Sequence, residues 1–190
     1  MTFLGIDPGL RITGYGCVRF GRDRAALVEA GVFRLARTDH ETGDTASVSK
    51  RLVELDKDVR ALIARLKPSC VAVEGLFAHT AHPATAMVMG HARGVILLAI
   101  AQAGVPVVEL KPAEVKKFLT GSGRAEKGQM QRAVQEYFRL PELPKPPDVA
   151  DALAIALCAA ERSRLGLHAP ALTAKPKRAR RTLPADVLNR

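Results

Sequence analysis

The chain has 190 residues, 47% hydrophobic and 25% charged, with a formal net charge of +10. That is a globular composition, long enough for one well-buried domain plus an extension. No apolar run reaches membrane-spanning length, Val95 to Ala103 being far too short, and the N-terminus lacks the basic region, apolar segment and cleavage site of a signal peptide.

The three cysteines, Cys17, Cys70 and Cys158, stand far apart without a CxxC pair. They argue against a disulfide framework or a zinc site and fit a reduced, cytoplasmic setting. The charge is uneven. Residues 162–190 carry eight Lys/Arg against one Asp, a net +7, and residues 1–161 carry twenty-one Lys/Arg against eighteen Asp/Glu, a net +3. A basic tail on a nearly balanced body suits a polyanionic partner, although basic tails are also common solvated ends.

Three strands are expected first, over Thr2–Asp7, Thr13–Gly21 and Ala25–Ala36, their short connections making them antiparallel neighbours. Gly14 and Gly16 lie inside the second, where a strand glycine marks either a bulge or a close approach of another backbone or ligand. After a polar loop over Thr38–Thr45, helical period runs over Ala46–Lys67. Its apolar stripe is Val48, Leu52, Leu55, Val59, Leu62, Ile63 and Leu66. At roughly 1.5–3 kcal/mol per buried large side chain, that face must pack on the sheet.

Pro68 ends the helix, and Ser69–Glu74 reads as a continuous apolar strand, parallel and central, reached by a crossover. A loop over Gly75–His82 carries Phe77, His79 and His82. A long helix over Pro83–Ala103 has Ala86, Gly90 and Gly94 at four-residue spacing, which suits either core packing or pairing with a second copy. Next come a short strand over Val105–Leu110, a helix over Pro112–Leu119 and a Gly121–Lys127 loop leading into a helix over Ala125–Leu140. The last helix is expected over Asp148–Arg164. The division is thus a domain over residues 1–165 and a basic tail over 166–190, the tail expected to be disordered without a partner.

Asp7 and Glu74 share a grammar: each ends an apolar strand and is followed by Pro-Gly or Gly. As ends of parallel neighbours, both reach one sheet edge, where ligands of open sheets bind. Asp148 and Asp151, three apart at a helix start, share a helix face about 60° wide. Each piece also has a plain structural role available: a turn-opening Asp7, an N-capping Asp148, a first-turn Asp151 favoured by the helix dipole. If all four converge, repulsion decides. Two carboxylates about 4 Å apart oppose each other by on the order of 4 kcal/mol at an effective dielectric near 20. Divalent cations relieve this, and all-oxygen ligation suits Mg²⁺ or Mn²⁺.

Gly5-Ile6-Asp7-Pro8-Gly9 with Thr13-Gly14-Tyr15-Gly16, then Val73-Glu74, Ala92-Arg93-Gly94, Ala125-Glu126-Lys127 and Asp148-Val149-Ala150-Asp151-Ala152-Leu153-Ala154-Ile155-Ala156, occur in that order. The pattern closely resembles the RuvC family of bacterial Holliday-junction resolvases over about residues 2–165. The resemblance implies an α/β, ribonuclease H-like fold, a five-stranded mixed sheet flanked by helices. It implies a homodimer that makes paired, symmetric nicks in four-way DNA junctions by two-metal hydrolysis with Mg²⁺ or Mn²⁺, leaving 5′-phosphate and 3′-hydroxyl ends. It also implies the RuvA and RuvB branch-migration proteins as partners. By motif position, Asp7, Glu74, Asp148 and Asp151 match the family's catalytic, metal-binding acids.

Phe77 matches an aromatic thought to stack on or wedge between bases at the crossover, its alternative being a plug under its loop. Lys127 matches a lysine implicated in DNA contact, with Arg124 and Lys116 as companions for phosphate. Gly75-Leu76, Met89-Gly90-His91, His79 and His82 depart from common family sequences, as does the length of the basic tail. Other readings of the same residues are a non-catalytic DNA-binding module of the same fold, a nuclease-like domain acting on RNA, and an actin-like ATP-binding lobe. The last needs two such lobes, and this chain has room for one.

Overall fold

Short connections leave the first strands little choice of partner, and that antiparallel start seeds the sheet. The computed structural model describes residues 1–21, 24–35, 45–75 and 83–166. The elements are β1 (Thr2–Asp7), β2 (Ile12–Phe20), β3 (Ala25–Arg34), α1 (Thr45–Leu66), β4 (Cys70–Glu74), α2 (Pro83–Gln102), β5 (Val107–Leu110), α3 (Pro112–Thr120), α4 (Lys127–Phe138) and α5 (Pro147–Arg164). The sheet order is β3-β2-β1-β4-β5. β1, β2 and β3 pair antiparallel, whereas β4 lies parallel to both β1 and β5. This is the five-stranded mixed sheet of the ribonuclease H-like fold.

Expected and observed boundaries differ by a residue or two, for local reasons. β5 starts at Val107 because Pro106 has no N–H for the ladder. α5 starts at Pro147, the favoured place for proline in a first turn. α4 starts at Lys127 because Glu126 takes the N-cap position. Inside β2 both expected uses of a strand irregularity occur, a register shift at Cys17/Val18 and close approach of a helix at the glycines.

The sheet separates two cores by simple alternation of side chains. Leu4 and Ile6 of β1 and Val71 and Val73 of β4 face α1 and α2, meeting Leu55, Val59, Leu62, Ile63, Ile96 and Ile100. Phe3 and Ala72 face the other way, toward α3, α4 and α5. By the same alternation Gly5, Asp7 and Glu74 share that second face. α5 is buried from Val149 through Ala160 except at the half-buried Asp151, because the sheet covers one side of it and α3 and α4 the other.

α5 lies directly on the strand backbones. A Cβ added to Gly5 would collide with the Ala152 carbonyl oxygen and stand 2.5 Å from the Ala156 nitrogen. At Gly16 it would stand 2.9 Å from the Leu153 Cα, and at Gly14 it would collide with the Asp148 carbonyl oxygen. Three glycines on two neighbouring strands thus form the floor on which the last helix rests.

Gly5→Ala should therefore lower unfolding free energy by about 3 kcal/mol or more, since backbone atoms on both sides cannot yield. Gly90→Ala is the contrast: an added Cβ there meets nothing within 4 Å, and helix propensity should raise stability by up to about 1 kcal/mol. Urea midpoints of the two variants check both signs.

Candidate active site

Two of the four acids end neighbouring strands, and the other two open the helix that lies on those strands. Asp7 is the last residue of β1 and pairs with Gly14 of β2. The turn after it is tied by Thr13, a fully buried residue whose hydroxyl donates to the Gly9 carbonyl at 2.5 Å and accepts from the Gly9 amide at 3.2 Å. Glu74 ends β4 opposite Leu110 of β5, one residue beyond the Ile6–Val73 pair of the β1–β4 ladder. Asp148 stands in the first turn of α5, and its backbone rests on Gly14, the residue paired with Asp7. Asp151 follows one turn later on the same helix face.

The structural alternative for Asp148 fails, because Pro146 holds the N-cap position and no side chain caps α5. Among the described residues none of the four carboxylates makes a salt bridge or a side-chain hydrogen bond. All four are half-buried.

Their electrostatics couple them. Burial pushes the Asp7 carboxyl up from 3.8 to about 8, and the charges of Glu74, Asp151 and Asp148 add to that rise. Burial likewise raises Glu74 from 4.5 to about 7, with Asp151 contributing. Asp151 is raised by burial too, with Asp148 adding. Two lysines oppose the trend: Lys127 pulls down on Asp7, Glu74 and Asp151, and Lys116 pulls down on Glu74 and Asp151. The four acids and two of the three expected cations therefore belong to one site.

Arg124 is exposed, and no such coupling links it to the acids. At the start of α4, Gln129 accepts from the Glu126 amide at 2.8 Å within a capping box. The start of α4 is thus closed by the reciprocal Glu126–Gln129 capping box, and the cation it offers is the Lys127 side chain. Phe77, His79 and His82 lie outside the described residues. Thr13 was missed as a site residue. Its signal was its place four residues after Gly9, within reach of the turn that Pro8 and Gly9 make.

The donor set is carboxylate oxygen throughout, half-buried and without a counter-ion, which fits a hard divalent cation. Among the described residues no three acidic, His or Cys side chains are gathered into a ready-made metal cage. The site is an open edge lined with acids and flanked by two lysines.

A family model described as Crossover junction endodeoxyribonuclease RuvC matches residues 3–159. A protein of that name from Moorella thermoacetica is 48% identical over 158 residues, covering 83% of this chain and 90% of its own. Another, from Rhodopirellula baltica, is 46% identical over 155 residues, covering 82% and 83%. The structure of T. thermophilus RuvC in complex with Holliday junction substrate matches with a TM-score of 0.76 at 34% identity, over 87% of this chain and 96% of that one. The yeast mitochondrial Holliday junction resolvase shares the fold, with a TM-score of 0.61 at 13% identity over 87% of this chain and 82% of that one.

The raised carboxyls fix the sign of a pH effect. Asp7 and Glu74 hold protons in the folded chain after the unfolded chain has released them, so stability without metal should fall as pH rises from about 4 to about 8. Mg²⁺ should raise the thermal midpoint more at about pH 8 than at about pH 6, because at the lower pH it competes with protons. Asp7→Asn should flatten both trends, as thermal melts with Mg²⁺ and with EDTA will show.

Proposed function

The chain belongs to the RuvC family of crossover junction endodeoxyribonucleases, and from that premise we propose that it resolves Holliday junctions by metal-dependent hydrolysis, nicking two opposed strands symmetrically. The observation that carries this is the set of four half-buried acids, from two strand ends and one helix, without a counter-ion among the described residues. A DNA-binding module of the same fold would have no use for that repulsion. Family membership supports junction DNA rather than RNA as substrate.

In this reading Asp7, Glu74, Asp148 and Asp151 hold Mg²⁺ or Mn²⁺, two ions by family resemblance. Divalent cations bound there supply the acidity that makes water a nucleophile near neutral pH and stabilise the leaving oxygen. Asp7, on the strand beside β4 and beneath α5, would hold metal together with the acids of both. Lys127 and Lys116 draw the phosphodiester toward the acids, which would otherwise repel it. Arg124, farther out, contacts flanking phosphate. Phe77, three residues after Glu74, stacks on bases at the crossover. In-line attack at phosphorus leaves a 5′-phosphate and a 3′-hydroxyl. Residues 1–165 form the nuclease domain, and the basic tail from 166 adds attraction for phosphate without sequence preference.

Two cuts require two copies. We assign the pairing surface to α2, where Met87 (66% exposed) and Leu98 (52% exposed) share an outer stripe with His91 and Gly94. RuvA and RuvB are taken as partners on family grounds. The cytoplasm is the proposed location, in keeping with the absence, among the described residues, of any helix long and apolar enough to cross a membrane.

A labelled mobile four-way junction, incubated with Mg²⁺, Mn²⁺ or EDTA beside a matched linear duplex, tests the reading. Paired, metal-dependent nicks in the junction alone are expected, and Asp7→Asn should slow them by about 10²–10³-fold or more while junction binding persists. Tight binding without nicks under either metal would instead select the non-catalytic module. Leu98→Glu should give monomers in sedimentation velocity and unpaired nicks on the same substrate.

A further inference from the structure

Arg93 lies on α2, across the sheet from α5, yet it reaches the strand end that carries Glu74. Its Nε donates to the Glu74 backbone carbonyl at 3.3 Å, and its Nη2 bonds the Glu109 carboxylate of β5. The Arg93 side chain is 17% exposed, and its bond to the Glu74 carbonyl is partly buried, whereas Glu109 stands largely in solvent.

Accounting for the ladder shows why that carbonyl needs this donor. The Val71 amide donates to Pro106 and the Gly75 amide to Leu110, so odd residues of β4 turn toward β5. Even residues, Glu74 among them, turn toward β1. Continuing the register from Ile6–Val73 sets Asp7 opposite Glu74, and the amide due to answer the Glu74 carbonyl is that of residue 8. Residue 8 is proline and has no N–H to give. The ladder lapses at the peptide that aims a proposed metal ligand, and Arg93 supplies the missing donor from outside the sheet. Gly75 keeps the space open: a Cβ there would stand 3.0 Å from Glu109 Oε1.

We infer that Arg93 is a positioning residue: held by Glu109, it fixes the last peptide of β4 in place of the amide that Pro8 lacks, and so sets the approach of the Glu74 carboxylate to the site. The inference rests on the reading of Glu74 as a metal ligand. A guanidinium serves the two acceptors from separate nitrogens at a fixed planar spacing, where an ammonium offers a single nitrogen on a flexible stem.

The test uses the full chain and Mn²⁺ binding, followed by electron paramagnetic resonance, beside junction nicking. Arg93→Gln should weaken Mn²⁺ binding about 10–100-fold and raise the metal concentration for half-maximal nicking by the same factor. The rate at saturating metal and junction binding in EDTA should stay at wild-type values, and the thermal midpoint should fall by only a few degrees, as loss of one hydrogen bond and one partly exposed ion pair implies. Arg93→Lys should recover part of the loss, and Glu109→Gln should lose less than Arg93→Gln, with the double variant no worse than Arg93→Gln. Unchanged Mn²⁺ affinity in Arg93→Gln would overturn the inference. So would a loss of stability and junction binding in step with metal affinity in both Arg93 variants. Glu74→Gln separates the two readings. If it weakens Mn²⁺ binding and Arg93→Gln does not, only the positioning role fails; if it leaves Mn²⁺ binding intact, the ligand reading fails and the positioning role with it.

Discussion

The contact between α5 and the bare backbone of β1 and β2 is the constraint on which the site depends. Helices usually rest on sheets through a layer of side chains that can readjust. Here Gly5, Gly14 and Gly16 remove that layer, and the carbonyl oxygens of Ala152 and Asp148 occupy the space of the missing Cβ atoms. Position along the helix and rotation about its axis are both set by atoms that cannot change rotamer. Asp7 pairs with Gly14, and Gly14 touches Asp148, so two direct backbone contacts link acids that stand 141 positions apart in the chain. A site that needs ligands held closely gains more from such contacts than from packed leucines.

Charge treatment divides the molecule into structural and chemical acids. Glu29, on the face toward α1, receives Arg65 Nη2 at 2.7 Å and the Tyr15 hydroxyl at 3.0 Å. The Arg65 guanidinium, chiefly by hydrogen bonding, holds its carboxyl below the usual range. Asp7 receives no such partner, and its carboxyl moves the opposite way, to about 8. The same chemical group is thus neutralised by a neighbour on one face and left to repel others on the other. Pairing Asp7 would stabilise the fold; leaving it unpaired preserves oxygen donors. Lys116 and Lys127 sit near enough to moderate the repulsion without bridging to it.

Strand ends, helix periods and the order of acids were legible in the sequence because they are local patterns. The apolar run before Glu74 and the stripe from Val48 to Leu66 each follow from one period over one segment. The convergence of Asp7 with Glu74 needed only the crossover rule and a parallel register. Contacts across the sheet were harder to read. Gly14 and Gly16 suggested close approach or a bulge, and nothing in β2 alone says that α5 would be the neighbour. Burial of the middle of α5 on every side was hidden by its acids at one end and by Arg162 and Arg164 at the other. The cap at Glu126 was hidden because Ala125, although helix-favouring, precedes the helix, and only the Glu126–Gln129 pairing three residues apart marks its start. Arg93 carried a motif without a visible role, since its acceptor is a backbone carbonyl that any residue would provide.

A carboxylate at the last residue of a strand faces the cleft, but its peptide has lost the ladder on at least one side, so the residue best placed for chemistry is among the least fixed by the sheet. The structure answers this with tethers from outside the ladder. Thr13 closes the turn that follows Asp7, on the side where Pro8 stops the strand. The Leu110 carbonyl takes the amide after Glu74, and Arg93 takes the carbonyl that Pro8 cannot serve. Asp148 and Asp151 need no such device, because helix hydrogen bonds and the glycine floor already hold them. Proline at position 8 therefore acts twice: it ends the strand so that Asp7 faces the cleft, and it opens a gap beside Glu74 that a side chain from α2 fills. Because α2 also presents the exposed stripe assigned to pairing, the helix that would meet a second copy is the one that reaches behind the sheet to the strand ending on Glu74.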